Sequence, residues 1–208
     1  MQDESIASTL LELGAATLGE SGALPMHRRV AAAWPGAALA APAYPVRCSP
    51  ADNLAIHAAV TRAPEGSVLV VDASETPERG YWGEVLTTGA EARGLAGLVI
   101  DGGVRDRAAL VAHRFPVFAT MIVLQGASKE LPGTIGSPVE VGGVPVAAGD
   151  WVTADADGVV VVPSARLDEV LTAGRARADK EQGLFIALRG GKTTVELLGL
   201  DTSPIVEA

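Results

Sequence analysis

Cysteine and aromatic residues are what this 208-residue chain has least of. A single cysteine, Cys48, excludes a disulfide framework and fits a reducing cytosol, where it would serve as a small buried hydrophobe. Aromatics make up 4% of the residues, so a core has to be assembled from Ala, Val, Leu and Ile. Basic residues are also scarce: 16 Lys and Arg stand against 25 Asp and Glu, a formal net charge of -9. That balance repels phosphate backbones, and no Lys/Arg run offsets it, so direct nucleic-acid binding is not expected. No apolar run reaches the length of a membrane span. The first residues, Met1-Gln2-Asp3-Glu4-Ser5, are acidic where a signal peptide would be basic. The expectation is a cytoplasmic protein with no membrane partner. Phosphate-loop and dinucleotide glycine motifs are missing, as are internal repeats.

What remains is a composition that folds. Hydrophobic residues are 48% and charged residues 20%, and the length suits one domain over 1–208. Ser5 caps a first short helix bearing Ile6, Leu10 and Leu13, the start of an expected N-terminal helical arm over about 1–46. Gly and Pro punctuate 14–46; Ala37 to Ala43 reads as a packed strand or loop. Ser49-Pro50 reads as the N-cap and first position of a helix over 51–62. Three near-continuous apolar runs, 67–72, 95–101 and 117–123, read as buried strands. Helical spacing over 82–93 and 106–113 separates them, which argues for parallel βαβ units. Gly102-Gly103 reads as a tight turn. Short strands follow at 139–146, 150–154 and 158–162, with Asp155-Ala156-Asp157-Gly158 as a hairpin turn. That turn resembles the start of a calcium loop but lacks its remaining ligands. A helix over about 164–182 closes the pattern.

The chemistry concentrates in Trp82-Gly83-Glu84-Val85-Leu86 and Val104-Arg105-Asp106. Arg105-Asp106 lies just past the carboxyl end of a buried strand, where open α/β sheets bind ligands. Free N–H groups in the first turn of the 82–93 helix can hold a carboxylate. Arg105 can clamp a carboxylate or enolate oxygen with two donors. Asp106 can hold a hard divalent cation, directly or through waters. Taken alone, the same pair also describes a surface Arg-Asp at a helix start. His27, His57 and His113 show no metal spacing and receive no role.

Trp-Gly-Glu followed by Arg-Asp inside Gly97-Leu98-Val99-Ile100-Asp101-Gly102-Gly103-Val104-Arg105-Asp106 resembles the RraA-like family that includes the class II 4-hydroxy-4-methyl-2-oxoglutarate aldolases. Blocks at 50–54, 115–119, 138–144 and 154–163 extend the resemblance over most of the chain. It implies an α/β fold of the ββα swivelling-domain type, like a phosphohistidine domain, with flanking helices. It also implies a homotrimer or hexamer with the site at the subunit interface, where the 164–182 helix would lie. Asp106 then matches a Mg²⁺ or Mn²⁺ ligand, and Arg105 the arginine that binds pyruvate and stabilises its enolate. Gly83, Val85 and Leu86 match the segment whose backbone N–H groups bind the substrate carboxylate. Glu84 matches the acidic position that orients a water for proton transfer. Glu181 matches, by spacing, an acidic residue given by a neighbouring subunit to the metal's water shell; a solvated helix face is its ordinary reading.

The implied reaction is metal-dependent cleavage of a 2-keto acid to a pyruvate enolate. Candidate substrates are 4-hydroxy-4-methyl-2-oxoglutarate, 4-carboxy-4-hydroxy-2-oxoadipate and oxaloacetate, the last by decarboxylation. The chain departs from the family at 120–129, where a Gly/Arg-rich loop is replaced by an apolar stretch whose one base is Lys129. A distal carboxylate therefore lacks an obvious arginine. The alternative is a non-catalytic RraA-type regulator that binds and inhibits ribonuclease E or another protein. Glu84, twenty residues before Arg105-Asp106 in the pattern of competent aldolases, favours the lyase.

Overall fold

The computed structural model describes residues 2–206; Met1, Glu207 and Ala208 of the expected domain lie outside the described residues. The chain begins with α1 (Gln2–Glu20), β1 (Leu24–Pro25), β2 (Ala31–Ala32), β3 (Leu39–Arg47) and α2 (Leu54–Arg62). It continues with β4 (Val68–Asp72), β5 (Gly80–Trp82), α3 (Glu84–Glu91), β6 (Gly97–Val104), α4 (Arg107–His113) and β7 (Val117–Ile122). β8 (Thr134–Ile135), β9 (Val139–Val141), β10 (Val144–Val146), β11 (Trp151–Asp155) and β12 (Gly158–Val162) follow. A 3₁₀ turn leads into α5 (Leu167–Arg189) and α6 (Thr194–Leu198).

Ten strands form one curled sheet in the order β1-β12-β11-β3-β4-β6-β7-β2, with β5 beside β6 and β8 beside β3. β12 comes back against β2, so the sheet bends nearly onto itself. The expected parallel units are present: β3 with β4, β4 with β6, and β6 with β7 all pair parallel. Their runs of Val, Leu and Ile are buried on both faces because helices cover the crossovers. The other side is antiparallel, with β11 against both β12 and β3. The main core fills the curl around Val46, Val70, Ile100 and Phe118. A smaller core joins α1 and α5 to the outer face of β12 through Leu10, Leu18, Val160 and Val170.

Several local expectations need correction. Helix α2 starts at Leu54, not at 51, and Ser49-Pro50 does not cap it; Ala51 has left-handed φ (58°) and Asn53 takes the N-cap position. Asp52 explains this: its carboxylate is committed to a distant loop, as described below. Gly102-Gly103 is no turn but the last stretch of strand β6 before Val104. A Cβ at Gly103 would meet the Arg79 carbonyl oxygen at 2.6 Å, so the strand needs glycine to pass under the incoming β5 chain. Trp82 belongs to β5, and α3 begins only at Glu84. The 1–46 stretch is helical only to Glu20; it then supplies three strands. α5 runs past 182 to Arg189. The Asp155–Gly158 hairpin is where the pattern placed it, between β11 and β12. Asp155 does more than turn the chain. Its Oδ2 accepts from Ala15 N–H at 2.8 Å, capping the second half of α1 after a kink at Gly14.

Candidate active site

The parallel half of the sheet fixes the site. β5 pairs with the end of β6, Gly80 opposite Gly103 and Trp82 opposite Val104. Arg105 N–H then donates to the Trp82 carbonyl at 2.8 Å. Gly83-Glu84 and Arg105-Asp106 are thereby brought side by side at the carboxyl edge. A cleft of about 280 Å³ opens there, lined on one side by Gly83, Val85, Leu86, Arg105 and Asp106.

Asp106 has φ 56° and ψ 37°, the left-handed region, which Asp tolerates better than most side chains. It does not cap its own helix α4. Its Oδ2 instead accepts from the Glu84 N–H at 3.1 Å, and Arg105 Nε lies 3.7 Å from the same oxygen. The close approach depends on Gly83, since a Cβ there would overlap Asp106 Oδ2 and lie 3.1 Å from Arg105 Cγ. Val85 and Leu86 line the cleft as the next residues of α3. Their N–H groups belong to the first turn, which has no carbonyl partner within the helix.

The opposite wall was not foreseen. Asn53, 5% exposed, donates from Nδ2 to the Tyr81 carbonyl at 2.7 Å. Its Oδ1 and the Nε2 of His57 are buried and have no hydrogen-bond partner among the described residues. Both residues line the cleft, as does Lys129. Burial pushes the His57 pKa down, and the Lys129 charge adds to this, which favours the neutral imidazole.

Asp52 binds that wall together. Its Oδ2 accepts from the Ser128 hydroxyl at 2.7 Å and from the Glu130 and Leu131 N–H groups at 2.6 and 3.0 Å, while Oδ1 accepts from Leu54 N–H at 2.8 Å. The loop carrying Lys129 is thus tied to the start of the helix carrying His57. Burial works to raise the Asp52 pKa, but these four hydrogen bonds prevail and hold it at about 2. The neighbouring Cys48 thiol is buried as expected; burial, then Asp52 and Asp72, pushes it up to about 12.

Two matched acids stand elsewhere. The Glu84 carboxylate does not line the cleft; it lies at the rim, 3.7 Å from His113 Nε2. Glu181 pairs with Arg177 at 3.0 Å on α5 and is not part of this cleft within one chain. Among the described residues, no three His, Cys, Asp or Glu side chains converge on one point. Asp106 is a single carboxylate whose Oδ1 carries no hydrogen bond among the described residues. That donor set fits Mg²⁺ or Mn²⁺ retaining most of its waters, and does not fit a dry cage such as a structural zinc site.

Asn53, His57 and Lys129 were missed as site residues. Asn53 falls inside the 50–54 block that carried the resemblance, which was the one available signal. His57 and Lys129 meet across 72 positions of sequence, a distance no local pattern bridges.

Known proteins share this family and fold. The RraA-like family model, described as Aldolase/RraA, matches residues 10–161. A protein of Halalkalibacterium halodurans, provisionally named 4-hydroxy-4-methyl-2-oxoglutarate aldolase, is 38% identical over 141 residues, 67% of each chain. Among solved structures, an uncharacterised protein of Pseudomonas syringae superposes with a TM-score of 0.83 at 28% identity, over 91% of both chains. The RNA-processing inhibitor RraA of Thermus thermophilis superposes with a TM-score of 0.61 at 28% identity, over 68% of this chain and 85% of its own.

Proposed function

The chain belongs to the RraA-like, Aldolase/RraA family, and from that premise we propose that it is a divalent-metal-dependent carbon–carbon lyase acting on a pyruvate-derived 2-keto acid. One observation carries the reading: Arg105, Asp106 and the open first turn of α3 line one cleft, with Asp106 bonded to the first N–H of that turn. The substrates that fit are 4-hydroxy-4-methyl-2-oxoglutarate, 4-carboxy-4-hydroxy-2-oxoadipate and oxaloacetate.

The N–H groups of Val85 and Leu86 bind the carboxylate beside the keto group, next to Gly83. Arg105 donates to the keto oxygen and takes up the charge that develops there as the C3–C4 bond breaks to a pyruvate enolate. Asp106 would hold Mg²⁺ or Mn²⁺, with Glu181 of a second copy at its water shell in a homotrimer or hexamer, and the ion would supply Lewis acidity. Glu84 orients the water that protonates the enolate carbon. On the other wall, Asn53 Oδ1 accepts from the substrate's C4 hydroxyl, whose proton passes to a water as the C3–C4 bond breaks and C4 becomes a carbonyl, and Lys129 faces its distal carboxylate. Its place in the cleft lining supports Lys129 in the role for which the sequence offered no arginine.

The decisive experiment is pyruvate release from 4-carboxy-4-hydroxy-2-oxoadipate and oxaloacetate with Mg²⁺, Mn²⁺ or EDTA, for the native chain and Asp106→Ala. Metal-dependent release that falls roughly 10³-fold in the variant is expected. No release above the metal blank would remove the lyase reading. The second reading is a regulator that binds ribonuclease E or another protein. The likeness to the Thermus inhibitor and the exposed Ile122 and Leu124, at the end of β7 and just past it, favour it. Inactivity together with ribonuclease inhibition would establish it.

Among the described residues no helix is long and apolar enough to cross a membrane.

A further inference from the structure

Aldol cleavage releases one proton that needs a destination, the one that leaves the C4 hydroxyl for a water. The ionisable side chains lining the cleft are His57, Tyr81, Arg105, Asp106 and Lys129. Arg105 and Lys129 are cations with no acceptor. Asp106 is the carboxylate that would hold the ion. The Tyr81 hydroxyl is spent, donating to the Thr76 carbonyl at 2.7 Å and accepting from Ala51 N–H at 3.1 Å. Among the described residues of the lining, His57 is left as the base.

Asn53 and His57 stand four positions apart, at the N-cap of α2 and one turn on, so their side chains share a helix face. Asn53 Nδ2 donates to the Tyr81 carbonyl, which fixes Oδ1 as the acceptor side of that amide. On the same face His57 Nε2 is buried and, among the described residues, unpartnered. Burying such an atom without a partner costs stability, and two of them in one cleft wall mark a place kept for a ligand and its water. Burial and the Lys129 charge favour the neutral ring, and with its proton on Nδ1 that ring offers a lone pair at Nε2. The imidazole as a whole is only half-buried, which leaves it a way out to solvent.

We propose that His57 is the positioning residue of the aldol step, holding at Nε2 the water that receives the C4 hydroxyl proton and taking a proton from it. The proposal rests on the lyase reading and specifies how cleavage begins. The C4 hydroxyl proton passes to the water, and the water gives a proton to Nε2. The electrons of the O–H bond form the C4 carbonyl, and those of the C3–C4 bond move into the pyruvate enolate. The imidazolium then loses a proton to solvent, and the ring ends as it began. A bound substrate assists: its distal carboxylate faces Lys129 and offsets the charge that opposes the imidazolium. The role belongs to one substrate class, the 4-hydroxy-2-keto acids. In oxaloacetate C4 is itself a carboxylate, which leaves as carbon dioxide with no hydroxyl proton to remove. Exchange of the pyruvate methyl protons with deuterated solvent does not involve C4 either.

The test compares native chain, His57→Ala and His57→Gln in three assays with Mg²⁺: cleavage of 4-carboxy-4-hydroxy-2-oxoadipate, decarboxylation of oxaloacetate and pyruvate exchange. In His57→Ala, kcat for the aldol substrate is expected to fall about 10²-fold, at least tenfold more than either other activity, with KM within about threefold of native. His57→Gln, which keeps volume and a hydrogen-bonding group but no base, should show the same selective loss and serves if the alanine variant does not fold. Equal loss in all three assays, a change confined to KM, or a glutamine variant at the native rate would overturn the role and leave the lyase standing. A native chain that decarboxylates oxaloacetate but does not cleave the aldol substrate would overturn it as well. If the native chain shows neither pyruvate release nor exchange, the lyase reading falls and takes this role with it.

Discussion

The two halves of the curled sheet end their strands differently. On the antiparallel side, β11 turns straight into β12, and Asp155 spends both carboxylate oxygens on nearby backbone: Oδ1 on Asp157 N–H and Oδ2 on Ala15 N–H. On the parallel side, β4, β6 and β7 cannot be joined by hairpins, so every connection is a crossover that brings a helix start or a loop to one edge. Among the described residues, that edge keeps polar groups without protein partners: the N–H groups of Val85 and Leu86, Asn53 Oδ1, His57 Nε2 and one oxygen of Asp106. A hairpin closes its own hydrogen bonds and leaves a ligand little to do. A crossover edge exposes donors and acceptors held by a rigid sheet, which is a working definition of a site.

That contrast can be broken from either side. After Asp106→Ala itself, the largest effect should come from Gly83→Ala, whose Cβ displaces Asp106 Oδ2: a loss of about 10²-fold in kcat with the fold kept, checked by steady-state kinetics beside circular dichroism. Lys129→Gln should raise KM for a substrate with a distal carboxylate roughly tenfold, with a smaller rise for pyruvate exchange, read from paired kinetic series. Asp52→Asn tests the tie between the walls. The folded carboxyl, at about 2, lies below its ordinary value of 3.8, so its contribution is full above about pH 4 and disappears as the pH falls toward 2. The variant should lose about 1–2 kcal/mol at neutral pH, allowing for screening, and show a flatter acid limb in denaturant titrations. Asp155→Ala, on the antiparallel side, should cost about 1 kcal/mol through the lost cap, a fall of about 2–4 °C in Tm, with kcat unchanged.

The same division decided what could be read from residue order. Val68–Asp72 and Val117–Ile122 were legible because strands covered on both faces must be continuously apolar. Arg105-Asp106 was legible because it follows such a strand directly. Gly102-Gly103 misled, since two glycines look like a turn whether the chain bends or is merely crossed by Arg79 and Val123. The start of α2 misled because Asp52, which a local rule would use as part of a first turn, is spent 78 positions away on Glu130. The last helix, α6, had a visible signal that went unused: Thr193 and Glu196 form a capping box. His113 was opaque, because its partners lie on another helix.

Cys48 gives the molecule a built-in clock. A lone thiol that is buried and held at about 12 hardly reacts with alkylating reagents while its surroundings stay closed. It sits four positions before Asp52, at the root of the segment that carries Asn53 and His57. The rate at which a reagent consumes it therefore counts openings of that wall, and the slowing of that rate by a bound keto acid would count how much of the wall the ligand holds shut.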